Sequence, residues 1–203
     1  MFFLHMDLPT FHTAILVCRQ LYAAFKCQEG QILVNFFNAM VPMGVQDHAL
    51  FAHECPLVPL LNFDAVKEFI DKYLIRGEIR LGYTNGEIIS MIKVAKAVKT
   101  LTQAFVDFCA YANSDLHALL IQSQGLTLSE RDRIYRAFYS FEIFRRLLQP
   151  LSDMESPSDA LTEYVEEVGE AFMDQFSPYE NVQLACIRDF LERYVLPCKS
   201  MSL

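Results

Sequence analysis

Apolar residues recur at spacings of three and four along most of the chain, the pattern of helices with one dry face. Leu8, Phe11, Ile15, Cys18, Tyr22 and Phe25 form the first such stripe. Its helix is expected to open near Asp7, with Pro9 in the first turn, where the missing N–H costs nothing. Ile32, Phe36, Phe37 and Met40 extend the pattern from Gln28, and Pro42 and Gly44 end it. A short helix over 47–53 follows, and Pro56 and Pro59 break the chain. Asn62 or Asp64 caps the next helix, through Val66, Phe69, Ile70 and Tyr73. From Gly86 a long helix runs through Ile89, Ile92, Ala95, Leu101, Phe105 and Phe108 to about Tyr111. Residues 115–122 read as its broken continuation, and Gly125 as a stop.

Two helix starts are written out in full. Thr127-Leu128-Ser129-Glu130 is a capping box, in which a hydroxyl takes one orphan N–H and a carboxylate reaches back to another. Its helix carries Ile134, Phe138, Phe141 and Leu148 on the apolar face. Ser177-Pro178-Tyr179-Glu180 is the second box, opening a helix through Val182, Cys186, Phe190 and Tyr194 that Pro197 ends. Between them lie a Ser/Asp/Pro linker over 150–157 and an acidic amphipathic helix over 160–176. Glu163, Glu166, Glu167 and Glu170 form its wet face; Leu161, Val165, Val168 and Phe172 form its dry one. Residues 75–84, with Gly77 and Gly82, suit a loop or a brief strand. Asn85-Gly86 is not flanked by alternating residues, so no hairpin is predicted. The expected fold is all-α: a single globular bundle of about seven to nine helices with irregular, orthogonal packing. One helical domain over 1–203 is preferred, with an internal boundary near 126 as the alternative.

Composition narrows the class. The chain has 203 residues and is 53% hydrophobic and 13% aromatic, too apolar to remain disordered. Its net charge of -8 argues against nucleic acid as a partner, because phosphate binding needs Lys and Arg to displace counterions. No membrane span is expected, since no window holds about 18 consecutive apolar residues. The start, Met1-Phe2-Phe3-Leu4-His5-Met6-Asp7, has no basic region ahead of an apolar run, unlike a signal peptide. The early entry into an amphipathic helix suits a fragment, or a truncated relative, of a longer protein. Cys18, Cys27, Cys55, Cys109, Cys186 and Cys198 are scattered, several within apolar runs, as buried free thiols are. A reducing location, cytoplasmic or nuclear, follows as the expectation.

Candidate chemistry is sparse. His48, His53, Glu54 and Cys55 form the densest group of potential metal ligands, but the two histidines are five apart, not the four that puts a ligand pair on one helix face. Asp153 with Glu155, and Asn113 with Asp115, do not repeat carboxylates at helical spacing as a Mg²⁺ patch requires. Arg131, Arg133, Arg136, Arg145 and Arg146 share a helix with Tyr135 and Tyr139; a solvated rim around a buried face explains them better than base stacking. No phosphate loop or nucleophile motif is present. No catalytic, metal or cofactor residue is therefore assigned.

Three stretches resemble a group of uncharacterised filamentous-fungal proteins, some of which carry an F-box-like segment ahead of this region. They are Asp7-Leu8-Pro9-Thr10-Phe11-His12 with the following Leu21-Tyr22-Ala23-Ala24-Phe25; Arg131-Asp132-Arg133-Ile134-Tyr135-Arg136-Ala137-Phe138; and Phe176-Ser177-Pro178-Tyr179-Glu180-Asn181-Val182-Gln183. The resemblance implies no catalytic residue. Seventeen Phe, nine Tyr and eight Met exceed the ordinary need of a core this size. Surplus apolar surface would point to a protein partner or self-association; a Phe-rich core explains the same excess equally well. The leading expectation is an intracellular, adaptor-like interaction module without catalytic activity. The alternative is an apolar small-molecule or lipid pocket, even an enzyme's, with His53, His117 or Cys109 supplying polar groups.

Overall fold

Capping chemistry sets where the helices begin. Asn62 Oδ1 accepts from the Ala65 N–H at 3.0 Å. Thr127 Oγ1 accepts from the Glu130 N–H at 3.2 Å, while Glu130 Oε2 accepts from the Thr127 N–H at 2.8 Å. Ser177 and Glu180 form the same reciprocal pair. A third box, Thr84 with Glu87, opens the long helix two residues earlier than the apolar pattern suggests. The elements come from a computed structural model that describes residues 10, 13, 19–55, 62–80, 82–123, 125–148 and 159–195.

Among the described residues there are eight α-helices and no strand. They are α1 (Arg19–Met40), α2 (Gln46–Glu54), α3 (Phe63–Phe69), α4 (Asn85–Ala112), α5 (Ser114–Gln122), α6 (Leu128–Leu148), α7 (Asp159–Met173) and α8 (Pro178–Phe190). The chain is the all-α bundle that the periodicity predicts. The expected helix start at Asp7, the breaks at Pro56 and Pro59, the linker over 150–157 and the stop at Pro197 lie outside the described residues.

The two apolar runs of α1 meet at a kink, where Gln28 leaves helical geometry (φ -126, ψ 15). α3 continues into a π-helical turn, Ile70–Ile75, closed by Arg76 N–H to Asp71 O at 2.9 Å. The connector to α4 is irregular. Gly77 (φ 63) and Gly82 (φ 81) take left-handed turns that a side chain would strain, so it does not run as a strand. Residues 114–122 are a separate helix, because Asn113 is extended (φ -139, ψ 106). Asn113 Oδ1 caps the new start by accepting from the Asp115 N–H at 3.0 Å.

α6 contacts α2, α4, α7 and α8, and α1 packs along α4. The buried residues form one contiguous cluster that draws on both sides of residue 126. Phe105, Phe108, Phe138 and Phe190 meet ring to ring at centroid separations of 5.3–6.4 Å. No described Phe is among the exposed large hydrophobics. The described phenylalanines are therefore buried in the core or packed half-buried against it.

Three apolar faces differ from the pattern. In α1 Phe25 is buried but Tyr22 is exposed. In α7 Tyr164, Val168 and Phe172 are buried, so Tyr164 replaces Val165, which lies on the wet side. In α8 Leu184, Ile187 and Phe190 are buried, whereas Val182 and Cys186 are exposed, as is Tyr194 in the π-helical turn Leu191–Val195 that follows. That helix carries two apolar stripes, and packing against α6 selects one.

Thr127→Ala should cost about 1 kcal/mol by removing a cap. Ile143→Ala, at a fully buried α6 position, should cost about 2–5 kcal/mol. Urea unfolding of the two variants tests the order; an Ile143 loss no larger than the Thr127 loss would contradict this account of the core.

Candidate functional site

The group His48, His53, Glu54 and Cys55 is dispersed into three environments. Five residues along a helix turn a side chain through roughly 140°, so His48 and His53 leave α2 in different directions. No cluster of three metal-ligating side chains forms among the described residues. Cys55 is buried, and its thiol donates to the Ile143 carbonyl at 3.6 Å. Burial pushes its pKa up to about 12, which makes it a poor nucleophile.

His53 and Glu54 join a network that ties the irregular connector to the bundle. Arg80 Nε lies 3.2 Å from Glu54 Oε1, and Arg80 Nη2 also pairs with Glu87 Oε1. Tyr73 donates to Glu54 Oε2 at 3.3 Å. His53 Nε2 stands 3.8 Å from Glu87 Oε1. The Arg80 guanidinium covers the Tyr83 ring at 4.7 Å. The hydrogen bond from Arg80, then those from the Thr84 N–H and hydroxyl, hold Glu87 down at about 2. Each carboxylate already has a cation or a cap, so this network is a clasp rather than an open site. Nothing in the apolar pattern marked Arg80; its carboxylate partners come from two separate helices, α2 and α4.

The remaining histidine of α2 opens onto a cleft. A cavity of about 380 Å³ lies between α2, α6 and the start of α8, lined by His48, Arg133, Arg136, Ser140, Tyr179 and Glu180 among others. Phe176 and Leu184 close its apolar side. Spacing explains the α6 contribution: residues 133, 136, 137 and 140 share one helical face. Burial lowers the His48 pKa, and the Arg136 charge lowers it further. Glu180 is engaged by the Ser177 hydroxyl and N–H, which depress its pKa. Arg136 makes no ion pair within 4 Å, and its Nε is buried without a hydrogen-bond partner among the described residues. At the rim Tyr179 is 63% exposed and Val182 60% exposed. Together with Cys186 they form the stripe of α8 that the core leaves out.

The other arginines divide by function. Arg145 and Arg146 both pair with Glu142, at 2.8 and 2.7 Å. Glu130 serves the Thr127 cap, and Arg133 makes no ion pair within 4 Å among the described residues. Cys109 is half-buried near Cys186, away from the cleft residues. His53 does not line the cleft either. Asp153 and Glu155 lie outside the described residues, as does the His117 side chain. The Arg-bearing face was visible in sequence; its convergence with His48 and Tyr179 was not.

No protein-family model matches the chain, no curated protein matches its sequence and no solved structure matches its fold.

Two outcomes follow. Thiol alkylation at neutral pH should reach exposed Cys27 and Cys186 first, and Cys55 only on unfolding; rapid native labelling of Cys55, read by peptide mass, would contradict its burial. Glu87 has a depressed folded-state pKa, so its stabilisation is complete above the usual carboxylate range near 4.5 and fades as pH falls towards 2. Glu87→Gln should therefore be less stable than the parent at neutral pH, and the difference should shrink on acidification.

Proposed function

We propose that the chain is a non-catalytic, intracellular docking module that binds a protein partner across the cleft between α2, α6 and α8. The observation that carries this reading is the cleft itself: a basic hollow in an acidic chain, bordered by an apolar stripe that no other described helix covers. Isolated exposed apolar residues are ordinary. Tyr179, Val182 and Cys186 are different because they lie on one face at spacings of three and four, next to polar groups that converge. An aromatic anchor beside arginine is also the chemistry that dominates interface energetics.

The apolar-pocket alternative is less well supported. The cleft is open and lined by two arginines, and neither His53 nor Cys109 contributes to it. Ser140 and His48 share the cleft, yet no hydrogen bond joins them among the described residues, so the hydroxyl has no base to activate it.

The test compares proteins co-purified from cells that natively express the chain. The double variant Tyr179→Ala/Val182→Ala should lose partners that an Ile121→Ala control, exposed elsewhere on α5, retains. Equal recovery by both variants, or a loss explained by dissociation of a homo-oligomer in sedimentation, would overturn the reading.

A further inference from the structure

Arg133 and Arg136 stand three residues apart on the α6 face that forms one wall of the cleft. Neither makes an ion pair among the described residues, whereas Arg145 and Arg146, two turns further on, are both satisfied by Glu142. Glu180 is the one acidic side chain in the cleft lining, and its carboxylate is already committed to the Ser177 cap. Ser140 is 4% exposed and lines the cleft, and the Arg136 Nε beside it is buried without a hydrogen-bond partner among the described residues. Among the described residues the two cleft guanidiniums thus face one carboxylate, Glu180, which the Arg136 charge helps to hold ionised, and no ion pair within 4 Å closes on either of them. A buried donor left unpaired is costly, and a guanidinium matches the two oxygens of an oxyanion in a fork-like geometry.

We infer that the cleft is an oxyanion-binding site, in which Arg133 and Arg136, with Ser140 and His48, hold a carboxylate or phosphate monoester on a side chain of the partner protein. The inference rests on the docking reading and specifies its chemistry. With His48 neutral, two guanidiniums against Glu180 leave the cleft one positive charge in excess, which suits a carboxylate. Protonating His48 adds a second charge, which suits a phosphate dianion. The groups facing His48 are Arg136, which disfavours its proton, and Asp47 and Glu180, which favour it. An oxyanion next to Arg136 offsets the guanidinium field, so the bound state should raise the His48 pKa. By linkage the site tightens as pH falls through and below 6.5, the ordinary histidine value.

The test uses the whole chain and three small probes: N-acetyl-glutamate amide, N-acetyl-phosphoserine amide and the neutral N-acetyl-glutamine amide. NMR follows the Arg136 Nε–H and the His48 ring, the latter assigned with His48→Asn. A charged probe should give a saturable shift at both groups, and the glutamine probe none. The stronger of the two charged probes identifies the oxyanion. Arg136→Gln should keep the amide spectrum of the fold and weaken binding about tenfold or more. The glutamate probe, which stays ionised above pH about 5, should bind more tightly as pH falls through 6.5 and should raise the His48 pKa. No saturable shift with either charged probe, or unchanged affinity in Arg136→Gln, overturns the oxyanion site. Co-purification separates this failure from failure of the docking reading. Partners lost with Tyr179→Ala/Val182→Ala but kept with Arg133→Gln/Arg136→Gln leave docking intact and remove the oxyanion. Partners kept by both variants remove docking itself.

Discussion

The all-round burial of the middle turn of α6, residues 137–140, is the constraint on which the rest of the bundle depends. Ala137, Phe138, Tyr139 and Ser140 are four consecutive buried residues, and together they span a full turn. A helix at the surface buries one stripe; a helix buried all round must be covered all round. α2, α4, α7 and α8 supply that cover. Small and large residues alternate in this turn: Ala137 and Ser140 admit close neighbours, while Phe138 and Tyr139 fill the space between them. Both small residues line the cleft. The hollow is therefore a consequence of how the central helix is packed, since a larger side chain at either position would occupy it.

The same arrangement separates structure from recognition. The Phe-rich composition suggested apolar surface left over for a partner, but the described phenylalanines are internal, many of them in edge-to-face contact around Phe190. What remains outside is a smaller set of Tyr, Val, Ile, Leu and Met side chains, most of them isolated. The exception is the outer stripe of α8, where Tyr179 and Val182 border a basic hollow. The polar groups are likewise partitioned. Arg80 is fully engaged in fastening the connector to α2 and α4, and Arg145 and Arg146 are neutralised on the surface by Glu142. Arg131, Arg133 and Arg136 are the members of the α6 series without an ion-paired carboxylate among the described residues, and of these Arg133 and Arg136 line the cleft.

Much of the helical layout was legible in sequence because its causes are local. A hydroxyl and a Glu three residues apart fix a helix start wherever they occur, so the boxes at Thr127 and Ser177 were read directly. Thr84 with Glu87 obeys the same rule but was overlooked, because the apolar pattern of α4 becomes clear only from Ile88 and Ile89. The break at Gly125 follows from its positive φ of 111, a conformation that L side chains rarely adopt. Which apolar stripe faces inward was less legible. Val182 and Cys186 are as apolar as Leu184 and Ile187, and no single-helix property prefers one pair.

The sequence by itself determined that the chain is helical, where most of its helices begin and end, and which residue types are available for chemistry. These follow from periodicity, capping and backbone restriction, all set within a few residues. Only the tertiary structure decided which face of α8 and α7 is buried, that His48, His53 and Cys55 part company, and that His48, Arg133, Arg136 and Tyr179 converge on one cleft. The reason is physical: those outcomes depend on neighbours more than a hundred residues apart in some cases, and no local rule carries that distance.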